Sequence, residues 1–321
     1  MAVYTDVPDD ALEAFVAAYD IGGVLACKGI AEGIENSNYL LQTERGWYIL
    51  TLYERRVAPE DLPFFLGLMD HLASRGIACP IPVRGRDGEA LRALCGRPAA
   101  IVTFLHGMCV RNIAPAHCAA LGGAMAAMHR AGADFPMRRQ NALGPSGWGP
   151  LFETCRGSAG DIAPGLAAEI DEELAFLARH WPAEAASGII HADLFPDNVF
   201  FLGERLSGTI DFYFACNDFY AYDLAVCLNA WCFEADFSFN AARARRLIDG
   251  YRAVRELDPG EIAALPILAR GAALRFLLTR LHDALFPPDG VLVGRKDPLE
   301  YVQKLRFHRA VCGPGAYGLD G

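Results

Sequence analysis

Apolar runs of strand character cover residues 24–29, 37–43 and 47–53. The last two are separated only by Glu44-Arg45-Gly46, so they predict the start of a small antiparallel sheet. A helix precedes them: Leu12, Phe15, Val16 and Tyr19 fall at i, i+3, i+4 and i+7, Asp9 and Asp10 stand where they can cap it, and Gly22-Gly23 ends it. A second helix is predicted over 59–74. Pro59 lies in its first turn, Glu60 and Asp61 near its positive end, and Leu62, Phe65, Leu66, Met69 and Leu72 on one face. Residues 78–83 and 99–105, around a turn at Arg86-Asp87-Gly88, complete the sheet. From Pro115 the period becomes helical: Cys118, Leu121, Met125 and Met128 share a face as core, and Gly122-Gly123-Ala124 permits close packing against a neighbour. Residues 138–149 read as a loop and 163–180 as a helix. Three short strands, 188–190, 199–202 and 208–210, lead to helices over 222–233, 240–255 and 261–285 and a last one starting near Pro298. Strands first and helices later predict an α+β fold. No internal repeat or low-complexity segment interrupts it.

Composition supports a large core: of 321 residues, 53% are hydrophobic and 21% charged. A net charge of -10 and a pI near 5.3 argue against nucleic-acid or anionic-membrane partners, so an anionic nucleotide has to be held locally. The ten cysteines are scattered among apolar residues with no C-x-x-C pair and read as reduced core thiols. The first residues lack the basic start and apolar run of a signal peptide, and Arg270, Arg275 and Arg280 interrupt the apolar stretch 269–281. The expected location is the cytoplasm.

Candidate chemistry concentrates in Ile189-Ile190-His191-Ala192-Asp193-Leu194-Phe195-Pro196-Asp197-Asn198-Val199 and, soon after, Thr209-Ile210-Asp211-Phe212. Phosphoryl transfer needs a carboxylate to position the acceptor hydroxyl and take its proton, and oxygen ligands for Mg²⁺ on the phosphates. Asp193 suits the first role, and Asn198 and Asp211 the second. A plain turn, with Asp193 and Asp197 as caps and Asn198 in an Asx-turn, would explain one such triplet; three groups converging between apolar strands favour the chemistry. His191 is expected to point inward and brace the loop by hydrogen bonding. Between the first two strands, Gly29 and Gly33 with Ser37 and Asn38 form a loop whose backbone N–H groups can approach a triphosphate. It lacks the G-x-x-x-x-G-K-[ST] pattern, which disfavours a P-loop enzyme.

The spacing His-x-Asp-x-x-x-x-Asn with a later Ile-Asp-Phe resembles the catalytic and metal loops of the protein-kinase-like fold. His191-Ala192-Asp193 and Asp211-Phe212-Tyr213 depart from the protein-kinase form in the manner of the aminoglycoside phosphotransferase and choline kinase group. The resemblance implies two lobes: a nucleotide-binding lobe over 1–105 and a catalytic, substrate-binding lobe over 106–321, with Mg·ATP between them under the 29–38 loop. Helix 59–74 would correspond to the regulatory helix. Thr51 stands where the fold usually offers a lysine, Lys28 being a possible substitute. Thr103 to Gly107 would be the hinge, with the backbone at Thr103 and Leu105 facing the adenine.

Further strings narrow the match. Gly29 to Tyr39, Ile49-Leu50-Thr51-Leu52-Tyr53-Glu54, Leu62-Pro63-Phe64-Phe65, Leu228-Asn229-Ala230-Trp231-Cys232-Phe233 and Arg275-Phe276-Leu277-Leu278-Thr279-Arg280-Leu281 resemble the homoserine kinases of that superfamily over nearly the whole chain. A lysine-free third strand is usual there. The resemblance implies ATP-dependent phosphorylation of L-homoserine to O-phospho-L-homoserine, a step toward threonine. The zwitterionic acceptor calls for Arg275 or Arg280 at its carboxylate and Asp218, Glu234 or Asp283 at its ammonium, with Asn36 and Asn217 as further substrate candidates. The alternatives are a kinase for another small hydroxylated acceptor, such as choline, an aminoglycoside or a sugar, and a nucleotide-binding regulatory module, which would not need the base at Asp193. Monomer and homodimer both stay open.

Overall fold

The computed structural model describes residues 4–30, 36–54, 57–287 and 296–319. They fall into two compact units that meet in sequence between His106 and Gly107. In the first unit, β1 (Val24–Gly29), β2 (Asn36–Thr43), β3 (Gly46–Tyr53), β4 (Leu91–Leu94) and β5 (Arg97–Thr103) form an antiparallel sheet in the order β1-β2-β3-β5-β4. Leu12, Phe15 and Val16 of α1 (Asp9–Val16) pack on Leu41, Leu50, Leu52 and Ile101 of one sheet face. Pro8 holds the position that caps α1, and Asp9 and Asp10 lie inside its first turn, where their charge still suits the positive helix end. Helix α2 (Leu62–Ser74) buries Leu62, Phe65, Leu66, Met69 and Leu72 as its periodicity requires, after a 3-10 turn over Pro59–Asp61.

Residues 78–83 are not a strand. Pro80 and Pro82 cannot donate to a ladder, and the segment only runs beside β5, with one bridge from Pro82 to Val102 and hydrogen bonds Val83 N to Ile101 O (2.8 Å) and Thr103 N to Ile81 O (2.9 Å). The edge place belongs to β4, whose four residues are too few to show a period.

In the second unit, α3 (Pro115–Ala131) is followed by α4 (Pro145–Cys155), α5 (Ala159–Ile162) and α6 (Leu166–His180). The expected loop over 138–149 therefore stops short, because Pro145 is suited to open a helix. Small sheets β6-β8-β9 and β7-β10 follow from β6 (Met108–Cys109), β7 (Ser187–Ile190), β8 (Val199–Leu202), β9 (Arg205–Thr209) and β10 (Cys216–Phe219). The helical remainder is α7 (Tyr220–Trp231), α8 (Ala241–Arg252), α9 (Pro259–Leu285) and α10 (Pro298–Ala310). Helices α3 and α8 touch backbone to backbone: a Cβ on Gly122 would lie 2.0 Å from Leu247 O, and one on Gly250 2.1 Å from Ala119 O. Helix α9 starts at a reciprocal cap between Asp258 and Glu261. It is long and apolar enough to cross a membrane by length and composition, yet most of its apolar stretch is buried within this unit. Its arginines are satisfied there, Arg270 by Glu173 and Arg280 by Glu300. All ten cysteines are free thiols, but Cys95, Cys109 and Cys312 are exposed, so the expectation of core thiols holds only in part.

Candidate active site

Strand β7 ends at Ile190, and the chain turns before β8 begins at Val199. Ala192, inside that turn, is left-handed at φ 63°, a conformation costly for a residue with a Cβ. Three hydrogen bonds hold it. Asp223, in the first turn of α7, accepts from His191 N (2.9 Å) and Ala192 N (2.7 Å), and the buried Arg275 guanidinium donates to Ala192 O. Asp223 also accepts from His129 Nε2 (3.0 Å), whose Nδ1 meets the Tyr251 hydroxyl at 2.8 Å. Burial alone would push the Asp223 carboxyl up, but the bonds from His129 and the His191 backbone hold it below the ordinary range. Asp223 is thus an ionised post on which the loop is hung.

His191 points inward and is fully buried. Its Nε2–H donates to Ile210 O at 3.0 Å, its ring lies 4.7 Å from that of Phe212, and Nδ1 has no hydrogen-bond partner among the described residues. Burial lowers its proton affinity, so the ring is neutral and serves as a strut between the loop and the end of β9.

Asn198 Nδ2 donates to the Asp193 carboxylate at 3.0 Å and to Asp193 O at 2.8 Å. On the next strand, Ile210 N donates to Asn198 O (2.9 Å), which sets Asp211 beside Asn198. Asp211 is the second left-handed non-glycine residue of the site, at φ 64°. Burial pushes the Asp193 carboxyl above the usual carboxylate range, against the opposing pull of Arg275, His191 and Lys296. A carboxylate so placed is a better proton acceptor.

The donor set fits a hard cation. With Nδ2 committed to Asp193, the Asn198 amide oxygen is left to accept, and Asp211, one residue on from the Ile210 N–H that bonds Asn198 O, adds a carboxylate. One carboxylate and one amide oxygen suit Mg²⁺, which completes its shell with waters and phosphates. Among the described residues no group of three or more His, Cys, Asp or Glu offers a closed metal site.

Arg275 and Arg280, either of which was expected at the acceptor carboxylate, both have partners inside the protein. Arg275 is 2% exposed, bonded to Ala192 O and packed over Phe214 and Phe276, while Arg280 is tied to Glu300. Asn217 accepts from Arg139 N at 2.9 Å through its side-chain oxygen. Glu234 pairs with Arg243 at 3.2 Å, and Asp283 lies 3.7 Å from His282. Asp218 remains partly accessible, its carboxylate oriented by Asn141 Nδ2 (2.7 Å) and Phe219 N (2.7 Å) and pushed up by burial.

In the first unit, several side chains expected at the nucleotide have hydrogen-bond partners within the unit. Ser37 is fully buried, its hydroxyl donating to Glu54 at 2.6 Å and accepting from Tyr4 N and Thr5 N. Thr51 donates to Asn38 Oδ1 at 2.8 Å, directly across the β2–β3 ladder. Thr103 Oγ1 accepts from Ile81 N, and buried Asn36 from Glu54 N. Gly29 is paired with Tyr39 at the end of β1, and Leu105 is half-buried. Gly33 lies outside the described residues. Sequence reasoning missed His129, Asn141 and Lys296. A histidine on an otherwise apolar helix face was the only signal for His129, and nothing local marked the other two.

The model of the phosphotransferase enzyme family (APH) matches residues 26–257, well over half of the chain. A homoserine kinase of Paramagnetospirillum magneticum is 63% identical over 326 residues, covering 100% of both chains. The chain belongs to the homoserine kinases of this family. Two solved structures share its fold at low identity. An amicoumacin kinase in complex with AMP-PNP, Ca²⁺ and Ami superposes with a TM-score of 0.70 at 15% identity, over 95% of this chain and 94% of that one. Choline kinase from Cryptosporidium parvum reaches 0.69 at 14% identity over 94% of each. The fold is protein-kinase-like.

Proposed function

We propose that the chain transfers the γ-phosphoryl group of ATP to the side-chain hydroxyl of L-homoserine, giving O-phospho-L-homoserine and ADP on the way to threonine. Full-length identity of 63% to a homoserine kinase carries the reading, and the hydrogen-bonded loop from Asp193 to Asn198 supplies chemistry that agrees with it. Asp193, with one oxygen held by Asn198, orients the hydroxyl with the other and takes its proton as the new P–O bond forms. Asn198 and Asp211 would hold Mg²⁺, which when bound neutralises charge on the phosphates. Asp223, Arg275 and His191 act through the loop, keeping Asp193 in place. Asp218, steadied by Asn141, is the carboxylate assigned to the acceptor ammonium. The cytoplasm, where ATP and free amino acids are at hand, is the assigned location.

The test is ADP release with Mg·ATP against homoserine, serine, threonine, choline and an aminoglycoside, with phosphorus NMR of the product. Selective turnover of homoserine is expected. Asp193→Asn should cut turnover by about 100- to 10,000-fold while leaving ATP affinity within about threefold. Turnover of a different acceptor alone, or an undiminished Asn variant, would refute the acceptor or the base respectively.

A further inference from the structure

The segment Asp193-Leu194-Phe195-Pro196-Asp197-Asn198 carries the base and a candidate metal ligand but no cation. Strand β3 carries no lysine either. Phosphoryl transfer spreads negative charge over the equatorial oxygens of the migrating group, and a fixed positive group there lowers the barrier.

Three basic side chains act on the Asp193 carboxylate: Arg275, His191 and Lys296. Two are already used. Arg275 is buried with its guanidinium on Ala192 O, and His191 is buried, neutral and bonded to Ile210 O. Lys296, just before α10, is different. Its Nζ lies 3.3 Å from Asp197 Oδ2 and 5.1 Å from the centre of the Phe195 ring, so it hangs over the middle of the catalytic loop. Its side chain is 56% exposed, and the Asp197 carboxylate 62%. An ion pair so open to water is worth little, and a four-carbon stem lets the ammonium leave one oxygen for another at small cost.

We propose that Lys296 is a catalytic residue that leaves Asp197 to contact the transferring phosphoryl group. The proposal rests on the kinase reading above. Its bond changes are those of the reaction: the acceptor oxygen bonds to phosphorus, the bond from phosphorus to the ADP oxygen breaks, and the hydroxyl proton goes to Asp193. Lys296 supplies charge and hydrogen bonds. Asp197 is its resting partner and keeps the ammonium beside the loop before substrate arrives.

Lys296→Met, Lys296→Gln and Lys296→Arg should be compared in three reactions: with homoserine, with 3-aminopropan-1-ol, which lacks only the carboxylate, and with no acceptor, where slow ATP hydrolysis is followed. Both neutral variants are expected to lose about 100-fold in kcat with homoserine and to slow hydrolysis in parallel. KM for homoserine should stay within about twofold, and Arg should recover part of the rate. Melting temperatures should match the wild type, since the side chain is exposed; having two neutral variants keeps a folding defect in one from deciding the matter. A rise in KM for homoserine alone, absent with 3-aminopropan-1-ol and with hydrolysis untouched, would overturn the proposal and place Lys296 at the acceptor carboxylate. Unchanged kinetics would reduce the pair to a surface salt bridge. If the wild type ignores homoserine, the functional reading fails, while acceptor-free hydrolysis still decides the lysine.

Discussion

At the scale of single residues, the site depends on side chains that never meet a substrate. Ala192 is held in a left-handed conformation in which Asp223 accepts from its N–H and that of His191 while Arg275 donates to its carbonyl. Removing Asp223 leaves two buried N–H groups and His129 without their acceptor. Asp223→Ala is therefore expected to lower unfolding stability by about 3 kcal/mol and turnover by at least about tenfold, measured by urea denaturation and steady-state kinetics. A variant with wild-type turnover would show that the loop holds its shape unaided. Asp193, Asn198 and Asp211 were legible because their spacing is local and their chemistry belongs to the residue type. Arg275 was legible only as a charge. Its burial and its hydrogen bond to Ala192 O, 83 positions earlier, became visible only in the structure.

At the scale of elements, long periodic segments showed themselves and short ones did not. Helices α1, α2 and α3 follow from apolar spacing, and α7, α8, α9 and α10 fall on the stretches read as helical, with ends moved by a few residues. Strands β4 and β10, four residues each, carry no period of their own and exist because β5 and β7 pair with them. The Gly122-Gly123-Ala124 run predicted a close helix contact without naming the partner. The partner is α8, at Leu247 and Gly250. Gly122→Ala puts a methyl 2.0 Å from a backbone oxygen that cannot rotate away, so the helices have to separate. A loss of about 1–3 kcal/mol is expected in thermal or urea unfolding, whereas Gly123→Ala, with 3.5 Å to its nearest neighbour, should change stability by less than about 1 kcal/mol. Equal effects at the two positions would contradict this packing.

At the scale of the whole molecule, the catalytic ion is expected to be separable from the fold. The fold uses no disulfide, and the described residues contain no cluster able to act as a structural metal site. Chelation with EDTA is expected to abolish turnover while the melting temperature of the ligand-free protein stays within about 1 °C, as differential scanning fluorimetry would show; Asp211→Ala should raise the Mg²⁺ needed for half-maximal rate. A large thermal shift on chelation would reveal a structural ion. What the amino-acid sequence determined by itself was the α+β order of elements, the carboxylate–amide–carboxylate set and the resemblance to homoserine kinases, since each is written in local spacing and residue type. Only the tertiary structure decided which polar groups are spent inside the fold and which remain. Arg275, Arg280, Ser37 and Thr51 are used up inside the fold, and Lys296 is set beside Asp197, 99 positions away, because burial and long-range pairing depend on packing that no window of the chain contains.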